Sequence, residues 1–188
     1  MPVSNYFNIN PIMANVREIN KIKKTKSVLD IGCGFGKYGF LMREFLDIRL
    51  KRYNKLEWET QIDAVEIYEE YFTPVHRHIY SMCYAQDICK FVDVIYNYDI
   101  ILLSEVIEHI EYTKGFNLLK KLIDKTNQAI FIAFPPDCKL HDPKWPNPHE
   151  AHISQWNYEK LLDVDYRFVK LNNTLYTLKK DCLKIKRS

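Results

Sequence analysis

SVLDIGCGFG, running from Ser27 to Gly36, is an apolar stretch of strand length that ends on glycines at alternate positions. The chain has 188 residues but only five glycines, where average usage near 7% predicts about 13. Four of them, Gly32, Gly34, Gly36 and Gly39, fall within eight positions, so backbone freedom is concentrated at one turn. Beyond that turn Leu41, Phe45 and Ile48 recur at helical spacing across residues 38–50. The expected unit is a strand, a Gly-rich turn and a helix. Without Cβ atoms the turn can bend sharply and approach a ligand, and the helix start presents free N–H groups and partial positive charge.

Outward from this unit the same alternation continues. IDAVEI (62–67) reads as a strand, 68–78 as a helix, 80–88 as a strand and DIILL (99–103) as a central strand buried on both faces. Residues 115–125 place Phe116, Leu119, Leu122 and Ile123 on one helical face, and AIFIAF (129–134) is another buried strand. The chain closes on YRFVKL (166–171) and TLYTL (174–178) around Asn172 and Asn173, a hairpin signal. This order predicts an α/β fold: a doubly wound, mostly parallel seven-stranded sheet with right-handed crossovers and an antiparallel last strand.

The length suits one domain spanning 1–188, with residues 1–25 as an N-terminal extension. Hydrophobic residues at 47% and charged residues at 27% exclude disordered and collagen-like classes. No apolar run approaches the roughly 20 residues needed to cross a bilayer, and MPVSNYFNINP lacks the order of a signal peptide. A soluble cytoplasmic protein without a membrane partner is expected. Cysteines 33, 83, 89, 138 and 182 form no CxxC pair, which suits isolated reduced thiols. The net charge of +3 does not call for nucleic acid as an obligatory partner.

Five of the eight prolines (Pro135, Pro136, Pro143, Pro146, Pro148) sit with His141, His149 and His152 in one segment. Proline fixes φ, so 135–153 is a stiffened surface loop. It leaves the carboxyl end of a central strand, the edge at which open α/β sheets bind ligands.

Gly34 to Gly39 also satisfies G-x-G-x-x-G, the dinucleotide fingerprint, whose acidic partner is expected about 20 residues on. Here the next strand-end acid, Glu66, lies 27 residues past Gly39, and a further acid, Asp30, precedes the glycines. A pyrophosphate would be repelled by Asp30. The pattern favours a ligand with an amino-acid end and a ribose, and a nicotinamide-dependent oxidoreductase becomes the minor alternative.

VLDIGCGFG, with Glu66 ending the second strand, Asp87 the third and LLSEVIEHI the fourth, resembles the class I S-adenosylmethionine-dependent methyltransferases, with a Rossmann-like fold. The likeness runs from about Lys26 to Leu178. It implies that Gly32, Cys33 and Gly34, with Gly36 in the same turn, wrap the methionine part of the cofactor while Asp30 orients the loop or meets the amino group. Glu66 would accept the ribose hydroxyls, Asp87 with the Ile88 backbone would read the adenine, and Ser104 or Glu105 would line the floor near the sulfonium. His109 would serve as general base where the acceptor must lose a proton.

A closer resemblance is to small uncharacterised bacterial and archaeal methyltransferases sharing AVEIYEEY, EVIEH and a loop ending NPHEAHISQW. It implies that His149, Glu150, His152 and Trp156 face the acceptor, taken to be an O or N of a small molecule. Glu105-x-x-Glu108-His109 with the later His149-x-x-His152 and Trp156 is also similar to the metal-binding pattern of small-RNA 3′-terminal 2′-O-methyltransferases, which implies a divalent ion on Glu105, Glu108, His109 and one of His149 and His152, here taken as His152. A non-catalytic cofactor-binding subunit is the third alternative.

Overall fold

The computed structural model describes residues 5–136, 139–142 and 147–180. Seven strands form one sheet: β1 (Ser27–Ile31), β2 (Gln61–Glu66), β3 (Met82–Ala85), β4 (Tyr98–Ser104), β5 (Thr126–Ala133), β6 (Val169–Lys170) and β7 (Leu175–Lys179). Their order is β3-β2-β1-β4-β5-β7-β6. The first five run parallel, and β7 is antiparallel to both β5 and β6. The expected architecture is therefore the observed one, and the order reverses between β1 and β4.

Alternate residues of the central strands feed two cores. Leu29, Ile31, Ile101 and Leu103 point to one face, under α4 (Ile88–Phe91), α5 (Tyr112–Asp124) and α6 (Tyr158–Val164). Val28, Ile100 and Leu102 point to the other, under α1 (Ile9–Ile22), α2 (Lys37–Leu46) and α3 (Pro74–Ile79). Burial on both faces explains the continuous apolar runs, at about 1.5 to 3 kcal/mol for each large side chain.

Several segments depart from the sequence expectation. Residues 1–25, read as an extension, contain α1, whose Ile12, Met13, Val16 and Ile19 are buried against the sheet. The helix expected over 38–50 ends at Leu46, because Asp47 leaves helical geometry to accept Arg43 Nη1 at 2.5 Å and Arg52 Nε at 2.8 Å. The helix expected over 68–78 is a single 3-10 turn, Glu69–Tyr71, followed by α3. Pro74 disfavours helical geometry at Thr73, which instead caps α3. The strand expected over 80–88 shortens to β3, since Asp87 turns to cap α4. Cys33, Cys83 and Cys89 are free thiols, while Cys138 and Cys182 lie outside the described residues. No helix among the described residues is long and apolar enough to cross a membrane.

Candidate functional site

The Gly-rich turn is held open at the carboxyl edge of β1 and β2. Gly32 has φ +65°, and a Cβ there would lie 2.3 Å from Val106 Cγ2, so neither its backbone nor its surroundings admit a side chain. Its N–H donates to Val65 O at 2.8 Å. Gly34 N–H donates to Glu66 Oε2 at 3.2 Å, and Gly34 O faces His76 Nε2 at 2.8 Å. Thr73 N–H lies 3.2 Å from His76 Nδ1; Nδ1 therefore accepts, and Nε2 carries the proton given to Gly34. Gly39 has a different task from its neighbours. It lets α2 lie against Tyr80, whose ring would be 2.2 Å from an added Cβ.

Asp30 is buried near the end of β1. Its carboxylate accepts Tyr80 Oη–H at 2.6 Å and a backbone N–H from Gly39, and burial pushes its pKa up to about 7. Cys33 sits in the core, where burial pushes its thiol well above the usual range.

A cavity opens where the strand order reverses. β1 contributes Ile31 and Gly32; β2 contributes Val65 and Glu66, with Ile67 and Tyr71 from the turn that follows. Gln86, Asp87 and Ile88 follow β3, and Glu105, Val106, His109 and Ile110 follow β4. Asn147, His149 and Glu150 cover it from the Pro/His-rich loop. Glu66, Asp87, Ile88, Glu105, His109, His149 and Glu150 thus meet in one place, although they come from four separate segments.

The acids of this cavity are desolvated. Burial raises Glu66 against the pull of three backbone N–H groups from Tyr68, Gly34 and Ile67 and of His149. Oε2 accepts Gly34 N–H and Oε1 accepts Tyr68 N–H at 3.1 Å, and a carboxylate oxygen can accept more than one bond. Glu105 adopts φ +57°, a strained conformation for a residue with a Cβ. Burial raises its carboxyl too, against the opposing charge of Lys37. Ser104 Oγ and Glu105 Oε1 are buried with no hydrogen-bond partner among the described residues.

Beside the cavity lies a second cluster. Glu108 is 1% exposed, and its carboxyl lies within hydrogen-bonding reach of the Glu105 carboxyl. Burial and the neighbouring Glu105 carboxylate push its pKa well upward. One donor atom each from Glu108, His109 and His152 lie within 4.8 Å of one another. Three of the four residues expected around a metal are brought together, and Glu105 is outside that group. The rings of His109 and His152 meet edge to face at 4.8 Å, and the His141 ring lies 4.0 Å beyond His152.

Two loop residues expected at the acceptor, Trp156 and His152, are not among the residues lining the cavity. Trp156 is 2% exposed and belongs to the core, with Nε1 donating to Ser154 Oγ at 3.0 Å; its large ring fills the space left open by Gly115. His152 is turned toward His109 and is not among the cavity-lining residues. Residues 137–138 and 143–146 of the 135–153 loop lie outside the described residues. Sequence reading missed Tyr71, His76 and Asn147. The aromatic run in EIYEEYF and the helix-start pattern Thr73-Pro74-x-His76 are the signals that were available.

No protein-family model matches the sequence, and no curated protein matches it. Solved structures do resemble it. A SAM dependent methyltransferase from Archaeoglobus fulgidus is similar at a TM-score of 0.57 and 20% identity, over 86% of this chain and 69% of that one. Magnesium protoporphyrin IX methyltransferase (ChlM) from Synechocystis PCC 6803, a structure with bound SAM, gives 0.57 at 14% identity, over 93% and 78%. An O-methyltransferase family protein from Burkholderia thailandensis gives 0.56 at 9% identity, over 90% and 55%. At these identities the shared property is the fold, and this chain has the fold of the S-adenosylmethionine-dependent methyltransferases.

Proposed function

We propose that this protein is an S-adenosylmethionine-dependent methyltransferase acting on an O or N atom of a small molecule. The carrying observation is Glu66, a carboxylate at the end of β2 that lines the cavity with both oxygens steadied by backbone N–H groups. A ribose diol offers the two donors such a group accepts. The residues fit the rest of the cofactor as well. Gly32 leaves bare backbone at the cavity wall, and Glu105, which lines the cavity with its Oε1 unsatisfied, offers an acceptor to an ammonium or sulfonium. Asp87 and Ile88 line the same cavity as Glu66, which supports their reading the adenine. The acidic lining would repel a dinucleotide pyrophosphate, which argues against the nicotinamide alternative.

When bound, the cofactor supplies an electrophilic methyl group on sulfur. The chain's part is to hold the acceptor in line and exclude water, and such alignment is worth roughly 7 to 11 kcal/mol. His109 lines the same cavity and is held by Ala151 O at 2.9 Å, a geometry that suits it to take a proton from the acceptor. The test is calorimetry with S-adenosylmethionine and S-adenosylhomocysteine, followed by a methyl-transfer assay on candidate acceptors. Micromolar binding is expected, and binding of neither compound overturns the reading. Binding without transfer to any acceptor would favour the non-catalytic subunit.

A second reading rests on the Glu108, His109 and His152 cluster. A buried carboxyl beside two imidazoles, with donor atoms within 4.8 Å of one another, is a donor set for a divalent ion. Such an ion would engage a ribose diol and acidify its hydroxyl, as 2′-O-methylation of RNA 3′ ends requires. Elemental analysis of the purified protein with a chelator assay on RNA decides it: a stoichiometric metal and chelator-sensitive transfer support it, and neither overturns it.

A further inference from the structure

Tyr71 ties the two sides of the cavity together. Its Oη donates to Glu150 Oε1 at 2.5 Å and accepts Asn147 Nδ2–H at 3.2 Å, although 79 and 76 residues separate the partners. All three residues line the cavity that holds Glu66. The tyrosine ring also meets Tyr68 edge to face at 4.9 Å and Phe35, on the Gly-rich turn, at 6.1 Å.

The two sides are not equally anchored. On the loop side, Ile153 and Ser154 donate to Glu108 O at 2.9 and 3.1 Å, His109 Nδ1 meets Ala151 O at 2.9 Å, and Ser154 Oγ donates to Ile107 O at 3.2 Å. On the other side, residues 67–73 contain one 3-10 turn with no buried residue. That turn is bounded by the end of β2 and the cap of α3. A short, half-exposed turn, held to the core through Phe72, opens at lower free-energy cost than a segment with four bonds to the turn after β4. Segment 67–73 is therefore the movable side, and Asn147 and Glu150 are the fixed side.

We propose that Tyr71 is the latch of this flap, closing residues 67–73 against Asn147 and Glu150 over the bound nucleoside, so that cofactor entry and product release require the latch to open. The inference rests on the methyltransferase reading. Flap and ligand are linked through Glu66, whose Oε1 accepts Tyr68 N–H from the flap at 3.1 Å. A ribose held by Glu66 thus steadies the segment that Tyr71 locks. A hydroxyl-to-carboxylate bond this short is charge-assisted and stronger than a neutral one, and Tyr71→Phe removes it while keeping the ring.

The experiment is stopped-flow binding and displacement of S-adenosylhomocysteine on the full chain, comparing wild type, Tyr71→Phe and Glu150→Gln. Dissociation should accelerate roughly tenfold in Tyr71→Phe and less in Glu150→Gln, association should accelerate as well because entry no longer waits for the latch to open, and the unfolding temperature should be preserved. Hydrogen exchange on the wild type supplies a second measurement, free of any folding defect in a variant: S-adenosylhomocysteine should protect the amides of 67–73. Dissociation within twofold of wild type, or no protection of 67–73, overturns the latch. Failure of the wild type to bind S-adenosylhomocysteine at all overturns the methyltransferase reading and the latch with it.

Discussion

His109 Nδ1 lies 2.9 Å from the backbone carbonyl oxygen of Ala151. A carbonyl can only accept, so Nδ1 carries the proton and Nε2 is the basic nitrogen of the ring. The Pro/His-rich loop therefore sets the tautomer of a residue that follows β4, 42 positions earlier in the chain.

Replacing His109 with Ala should lower kcat by about 10²- to 10⁴-fold if it removes a proton from the acceptor. Affinity for S-adenosylhomocysteine should stay within a fewfold of wild type. Steady-state kinetics with parallel calorimetry separates the two quantities, and an unchanged kcat would remove the base role.

Glu66→Ala should weaken S-adenosylhomocysteine binding by about 10- to 100-fold, the scale of hydrogen bonds to a charged group. The loss has two sources: the diol acceptor disappears, and Gly34 N–H and Tyr68 N–H lose the carboxylate that steadies them. Titration calorimetry measures it, and an affinity within threefold of wild type would exclude Glu66 from the nucleoside site.

Gly32→Ala meets two obstacles, a φ of +65° and Val106 Cγ2 at 2.3 Å from the new Cβ. The left-handed backbone costs about 1 to 2 kcal/mol and overpacking about 1 to 3 more. Denaturant unfolding of Gly32→Ala alone and combined with Val106→Ala should recover only the steric part in the double variant.

The pH dependence of stability follows from Asp30. Burial lifts its pKa from 3.8 to about 7 in the folded chain, so between those values the fold retains a proton that the unfolded chain has lost. Stability then falls as pH rises through about 4 to 7, by up to about 4 kcal/mol for this group. Tyr80, Glu66 and Lys37 are the titratable groups acting on it. Thermal unfolding from pH 4 to 8 should show this decline in the wild type and a flatter profile in Asp30→Asn, with Glu66, raised in the same direction, retaining part of the slope.

The sheet was legible because strands buried on both faces must be largely apolar, and SVLDI, DIILL and AIFIAF meet that demand apart from Ser27, Asp30 and Asp99. Boundaries were less legible. Asp47 ends α2 because it is needed by Arg43 and Arg52, and Arg52 lies beyond the helix. Trp156 was misjudged for a related reason: an aromatic residue beside histidines reads equally as a binding group or as core. Its burial in the space above Gly115 shows that it is core.

Alternating patterns and a glycine cluster were thus enough to define an α/β sheet with a ligand-binding turn after β1, since periodicity and missing Cβ atoms are local properties. Tertiary structure alone decided which polar groups meet. Tyr71 with Glu150, His76 with Gly34, and Glu108 with His152 are pairs made by chain crossing at the sheet edge. Distances between segments far apart in sequence depend on how the helices pack over the sheet, and no local pattern carries that information.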